Sequence, residues 1–178
     1  MKKITVKQMV LGGLFLALGI VMPFLTAQIP GIGSRLLPMH IPVLLCGFVC
    51  GGPVGLLVGF VVPILRSMMF GMPPMFPTAI AMAFELAVYG WLCGVLYQRL
   101  PKTTPNIYLS LIGAMLGGRI VWGLISLVLY GMAGNPFSLQ IFMAGAFINA
   151  APGILLQLVL IPIIVVALRK AKQIPVKA

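Results

Sequence analysis

The chain has 178 residues, 61% of them hydrophobic and 7% charged, and a mean hydropathy of +1.18. Soluble domains carry about 25% charged residues, so this composition excludes them and indicates an integral membrane protein. The formal charge of +11 does not indicate nucleic acid, because the basic residues gather at helix ends and connections, which is the membrane-topology pattern.

Long, nearly continuous apolar runs select helices over a β-barrel, whose strands alternate polar and apolar. The expected fold is all-α: one domain over residues 1–178, a six-transmembrane-helix bundle. The first span runs from Val6 to Leu25. Its basic start (Lys2, Lys3, Lys7) would also suit a secretory signal peptide, but the run is long for a signal core. Gly12, Gly13 and Ala17 give it a small-residue face suited to packing. A Pro/Gly-rich loop with Arg35 follows, Thr26 to Pro38. The second span begins at Met39 or His40 and ends at the Gly51-Gly52-Pro53 turn; it is short, hence tilted or broken. The third covers Val54 to Phe70, with Pro63 one turn before Arg66. The segment Met72 to Pro77 cannot be continuous helix, because each proline lacks a donor and biases its predecessor to extended geometry. The fourth span is Pro77 to Gln98, followed by a polar connection from Arg99 to Pro105. The fifth is Asn106 to Tyr130. After the Gly131–Pro136 turn comes the sixth, Ser138 to Leu168, interrupted by Pro152 and Pro162.

Six spans place both termini on one side. Lys2, Lys3, Lys7, Arg99, Lys102 and the tail with Arg169, Lys170, Lys172 and Lys177 then share a face, which the positive-inside rule makes cytoplasmic. Only Arg35 lies in an outer loop.

Glu85 is the single acidic side chain of the chain. A carboxylate within hydrocarbon costs about 2.5–3.5 kcal/mol even on lenient insertion scales, so it is paired or lines a cavity. With the topology above, His40, Arg66, Glu85, Arg119 and Asn149 all fall in the outer half or at mid-depth. The inner halves are comparatively bare, apart from groups such as Gln157. This asymmetry predicts a pocket opening outward, beneath the Thr26–Pro38 loop and the Met72–Pro77 cap. Glu85 pairing with Arg66 or Arg119 would serve packing alone, but two deep arginines for one acid leave a cation that an anionic or acceptor-rich ligand can match. Tyr89 and Trp122 share the faces of Glu85 and Arg119 and would stack on a ring or simply pack.

His40 with Cys46 and Cys50 does not form a convincing metal site, and the three cysteines pack as small hydrophobes. No phosphate-binding loop, nucleophile–base pair or zinc-protease motif occurs. The chain is therefore read as a non-enzyme without its own ATPase, cofactor or metal. Glycines at 47, 51, 55 and 59, with Gly13 and Ala17, offer flat surfaces for close helix approach, within the bundle or to a partner protein.

Six spans in so short a chain, the basic rim, the small-xxx-small first helix and the run from Leu37 to Gly90 resemble the substrate-binding S-components of energy-coupling factor (ECF) transporters. The resemblance covers the whole chain and implies high-affinity capture of a vitamin or vitamin precursor from outside. Delivery would follow with a transmembrane coupling subunit (T-component) and two cytoplasmic ATPases, in the plasma membrane of a bacterium. It implies docking through Gly13-x-x-x-Ala17, where the family has A-x-x-x-A; by their spacing, Gly55 and Gly59 offer a second flat surface for a partner. It implies gating by the loop from Gln28 to Pro38, and ligand contacts from Glu85, Arg119 and Asn149; the residues themselves add Arg66, His40, Tyr89, Trp122 and Arg35 as further candidates. A vitamin B6-like ring is the favoured ligand, Glu85 meeting its nitrogen; pantothenate and a corrinoid are alternatives. The competing classes are a stand-alone carrier or channel, which predicts internal symmetry or polar groups continuing inward, and a membrane enzyme using Glu85 as base.

Overall fold

A computed structural model of the protein describes residues 4–27, 33–171 and 174. Every regular element among them is helical: α1 (Val6–Ala27), α2 (His40–Cys50), α3 (Gly52–Phe70), α4 (Ile80–Arg99), α5 (Thr104–Met132), α6 (Leu139–Met143) and α7 (Ala151–Lys170). A 3-10 turn, Gly33–Leu36, precedes α2. Among the described residues, five segments are long and apolar enough to cross a membrane, the last being Leu139–Lys170. Helix α2 is shorter, with 11 residues. At about 1.5 Å per residue it falls well short of the roughly 30 Å hydrocarbon core, in line with the short second span expected.

The prolines set several boundaries. Pro53, Pro105 and Pro152 stand in the first turns of α3, α5 and α7, where a missing N–H leaves no helical bond unmade. The proline-rich cap is irregular, with Phe76 extended at φ −117°, ψ 132°, and regular α-helix begins at Ile80 rather than Pro77. The last apolar run breaks once: α6, a π-turn over Ala144–Ile148, then α7. Pro162 does not interrupt it, since α7 continues through that residue to Lys170. Ser138 caps α6, its Oγ accepting from the Ile141 N–H at 3.3 Å.

Glycines draw α2, α3 and α4 together. A methyl group on Gly55 would lie 2.6 Å from the Gly90 carbonyl oxygen, and one on Gly47 would be equally close to the same atom. Gly59 abuts the Leu86 carbonyl, and Gly94 abuts Gly52. These backbones touch, as small-xxx-small faces allow. The expectation that Gly55 and Gly59 face a partner is therefore corrected: both are buried against α4. Gly51 turns the α2–α3 corner at φ 91°, a left-handed conformation that favours glycine.

On α1 the inward stripe is Gly12, Phe15, Gly19 and Pro23, a helical spacing. Gly12 and Gly19 pack on Val54 and Val62 of α3. Gly13 and Ala17 lie on the opposite, exposed face, and nothing lies within 4 Å of a methyl group placed on Gly13.

The start of α1 lies beside the end of α2, where Gln8 Nε2 donates to the Cys50 carbonyl at 2.8 Å. The α2–α3 corner lies against Gln98, and Arg169 near the end of α7 reaches Tyr97 near the end of α4. The described ends of α1 and α7 therefore share one end of the bundle, with Lys7, Arg99, Lys102 and Lys170. Lys2, Lys3, Lys172, Lys177 and positions 28–32 of the expected gate lie outside the described residues.

Candidate functional site

Helix α4 packs against α2, α3 and α5 and carries Glu85 into the interior. There Glu85 is 1% exposed. Arg119 of α5 places Nη1 2.8 Å from Glu85 Oε1, and His40 of α2 places Nε2 3.7 Å from the same oxygen. Tyr89, one turn along α4, presents its ring edge-on to His40 at 5.4 Å. Its hydroxyl is within electrostatic reach of both Glu85 and Arg119. The Arg119 guanidinium also lies 6.0 Å from the Trp122 ring. Three helices thus bring His40, Glu85, Tyr89 and Arg119 to one point.

This cluster is charged but under-bonded. Glu85 Oε1 is an ion-pair partner, yet no N–H is aimed along a hydrogen-bond line to it. Arg119 Nε and Nη2, both His40 nitrogens and the Tyr89 hydroxyl are buried without hydrogen-bond partners. Leaving such a group unmatched costs about 1–3 kcal/mol, more if charged. The cluster borders a cavity of about 230 Å³ whose walls are Tyr89, Ile112, Met115, Leu116, Arg119, Phe147, Ile154 and Leu158. A body bound there would meet mostly apolar walls and, at one end, a set of donors and acceptors, the usual make-up of a small-molecule site. A larger cleft of about 330 Å³, between α5 and α6, is lined by Ile120, Gly123, Leu124, Leu127, Phe137, Ser138, Leu139 and Phe142. With no charged or strongly polar group converging on it, that cleft offers no comparable chemistry.

The remaining sequence candidates lie elsewhere. Arg66 is turned away from Glu85: its Nη1 donates to the Ile20 carbonyl at 2.6 Å, and its guanidinium lies 4.6 Å from the Phe24 ring and 5.6 Å from Phe70. It ties α1 to α3 through cation–π contacts. Asn149 and Arg35 are exposed. The Arg35 and Leu36 backbone packs on Gly153 of α7, one residue before the cavity wall at Ile154. Trp122 stacks with Phe142, ring centroids 6.0 Å apart, and so links α5 to α6.

Two features near the site are not among the candidates read from the sequence. Gln157 of α7 is fully buried with both amide atoms unpartnered, on the turn between Ile154 and Leu158. Its signal, a lone amide in an apolar run, was present, but its depth depends on where the last segment breaks. Gly118 precedes Arg119, and a methyl group there would overlap the Tyr89 ring, so this glycine sets where that wall stands. Among the described residues no three His, Cys, Asp or Glu side chains gather as metal ligands.

A buried charge cluster beside an apolar cavity has the make-up in which small-molecule sites are commonly found. The family model of the ECF transporter substrate-specific component matches residues 7–171. The chain belongs to this family. No curated protein sequence matches it. As an ECF substrate-specific component it is a multi-pass membrane protein and the substrate-binding subunit of an uptake transporter, a class that is generally non-enzymatic.

Proposed function

We propose that this S-component captures a small vitamin or vitamin precursor from outside the cell at the Glu85–Arg119 cluster. It then delivers the ligand inward with a T-component and two cytoplasmic ATPases. The observation that carries the reading is the set of buried, unpartnered polar atoms on Tyr89 and Arg119, which line the 230 Å³ cavity, and on His40 and Glu85, which contact them. The accompanying topology is a single domain of six spans, α2 being the short one. Both termini are cytoplasmic, the described basic end (Lys7, Arg99, Lys102, Arg169, Lys170) facing inward by charge in a bacterial plasma membrane.

The charge count narrows the ligand. With Arg66 held at α1, the cluster has one acid and one arginine and is neutral when His40 is. A carboxylate such as that of pantothenate would enter as an uncompensated anion, whereas a neutral, pyridine-like ring can accept from Arg119 or Tyr89 and pack on the apolar walls. This supports a vitamin B6-like ligand, and the cavity's size speaks for a compact ring over a corrinoid. Mass spectrometry of small molecules released from the purified protein, followed by titration with the molecule found, tests the reading. A retained vitamin names the substrate; an empty protein that binds none of the candidate vitamins refutes it.

Two variants probe separate parts of the proposal. Gly118→Ala pushes the Tyr89 ring towards the cavity, and overpacking of this kind costs about 1–3 kcal/mol. A roughly tenfold loss of affinity for the released ligand is expected by titration; unchanged affinity would detach that wall from binding. Ala17→Leu roughens the exposed face of α1, where the family docks its T-component. Uptake by cells should be abolished while binding to the purified subunit is unchanged, and normal uptake would remove the docking role.

A further inference from the structure

The basic end of the bundle holds a second group of polar side chains, remote from the cavity. Tyr97 of α4 is 2% exposed, and its hydroxyl is buried without a hydrogen-bond partner. Its ring lies edge-on to Phe48 at 5.0 Å. Lys102, in the α4–α5 connection, stands 4.4 Å over the same ring, and its Nζ donates to the Tyr97 and Leu100 carbonyls. It thereby caps the C-terminal end of α4. Arg169, in the last turn of α7, is within electrostatic reach of both Tyr97 and Lys102, and its Nη1 is buried without a partner. Burial, and then the neighbouring Arg169 guanidinium, hold the Lys102 ammonium below the usual lysine range.

Two cations around one phenol are donors in excess, since neither guanidinium nor ammonium can accept. No acidic side chain can answer them. The only one in the chain, Glu85, lies on α4 about 18 Å away along the helix axis, at roughly 1.5 Å per residue. An anion with several oxygens would satisfy the Arg169 Nη1 and Tyr97 donors and separate the like charges. The cluster sits where two membrane-length helices connect, which is headgroup depth.

We propose that Tyr97, Lys102 and Arg169 form a binding site for the phosphate diester headgroup of an anionic membrane lipid. The lipid supplies the missing counter-charge and fastens the end of α7 to the α4–α5 connection.

The test uses the full chain purified in detergent, titrated with dioleoyl-phosphatidylglycerol or dioleoyl-phosphatidylcholine and read by native mass spectrometry. Phosphatidylglycerol is expected to remain bound where phosphatidylcholine does not. Arg169→Gln should lower its affinity by about tenfold, the loss of one charge-assisted hydrogen bond. Tyr97→Phe should lower it by a smaller factor, and Lys170→Gln should leave it unchanged. Equal retention of the two lipids, or wild-type retention by both Arg169→Gln and Tyr97→Phe, overturns the proposal. Displacement of the lipid by millimolar inorganic phosphate assigns the site to free phosphate and overturns it too. So does an Arg169→Gln variant that binds the lipid as wild type but no longer co-purifies with the coupling subunit from cells, which assigns the donors to a partner's carboxylate. If Arg169→Gln does not fold, Tyr97→Phe, which removes one oxygen atom, decides alone.

Discussion

Arg119→Ala is expected to destabilise the protein and abolish measurable ligand binding, while Arg119→Ala combined with Glu85→Gln recovers the fold but not the binding. The reason lies in the pair's burial. Arg119 Nη1 and Glu85 Oε1 are 2.8 Å apart, with side chains 7% and 2% exposed. Removing one partner leaves a buried charge unmatched, which costs about 3–5 kcal/mol, whereas removing both charges is often close to neutral. Thermal unfolding in detergent separates these effects: the single variant should melt well below wild type and the double variant near it. Titration with the ligand released from the wild-type protein should show affinity falling by about tenfold or more in the double variant, because a charge-assisted hydrogen bond is worth about 1.5–3 kcal/mol. A double variant that binds like wild type would reduce the pair to a packing device and remove the site from the cluster.

Gly55→Val should be strongly damaging although it lies away from that site. Its side chain would begin 2.6 Å from the Gly90 carbonyl oxygen and 3.0 Å from Gly47 Cα. Both obstacles are backbone, so no rotamer change relieves them and α3 must part from α4. Overpacking costs about 1–3 kcal/mol and occasionally more; rigid backbone on both sides puts this case at the upper end. The expected result is a strong drop in melting temperature and in the monodisperse fraction on size exclusion. Gly13→Val is the counterpart: with open space around it, stability should not change, although uptake should fall if that face docks a partner. A stable Gly55→Val variant would mean that the close α3–α4 contact is not part of the folded protein in the membrane.

These two glycines mark where sequence reasoning ends. Gly13 and Gly55 both stand in small-residue series, and spacing cannot say which face of a helix meets a neighbour. The stripe Gly12, Phe15, Gly19 and Pro23 turns Gly13 outward, while Gly55 meets α4. The same holds for the arginines. Composition makes each deep arginine a candidate partner for Glu85, but Arg66 of α3 points towards α1 and its aromatic rings, and Arg119 of α5 points at the carboxylate. Depth alone makes Asn149 an equivalent candidate, yet the break over Ala144–Ile148 leaves it exposed.

What the sequence determined by itself is the membrane class, the helical character, the short second segment and the rarity of its one acid. All of these follow from composition and local backbone chemistry: apolar run length, prolines without donors, and the cost of a carboxylate in hydrocarbon. The tertiary structure alone decided which cation meets that acid, that His40 joins it, and which glycines are buried. Each depends on the rotation of one helix about its axis relative to another, and with about 100° between successive residues a rotation by one position exchanges an inward face for an outward one.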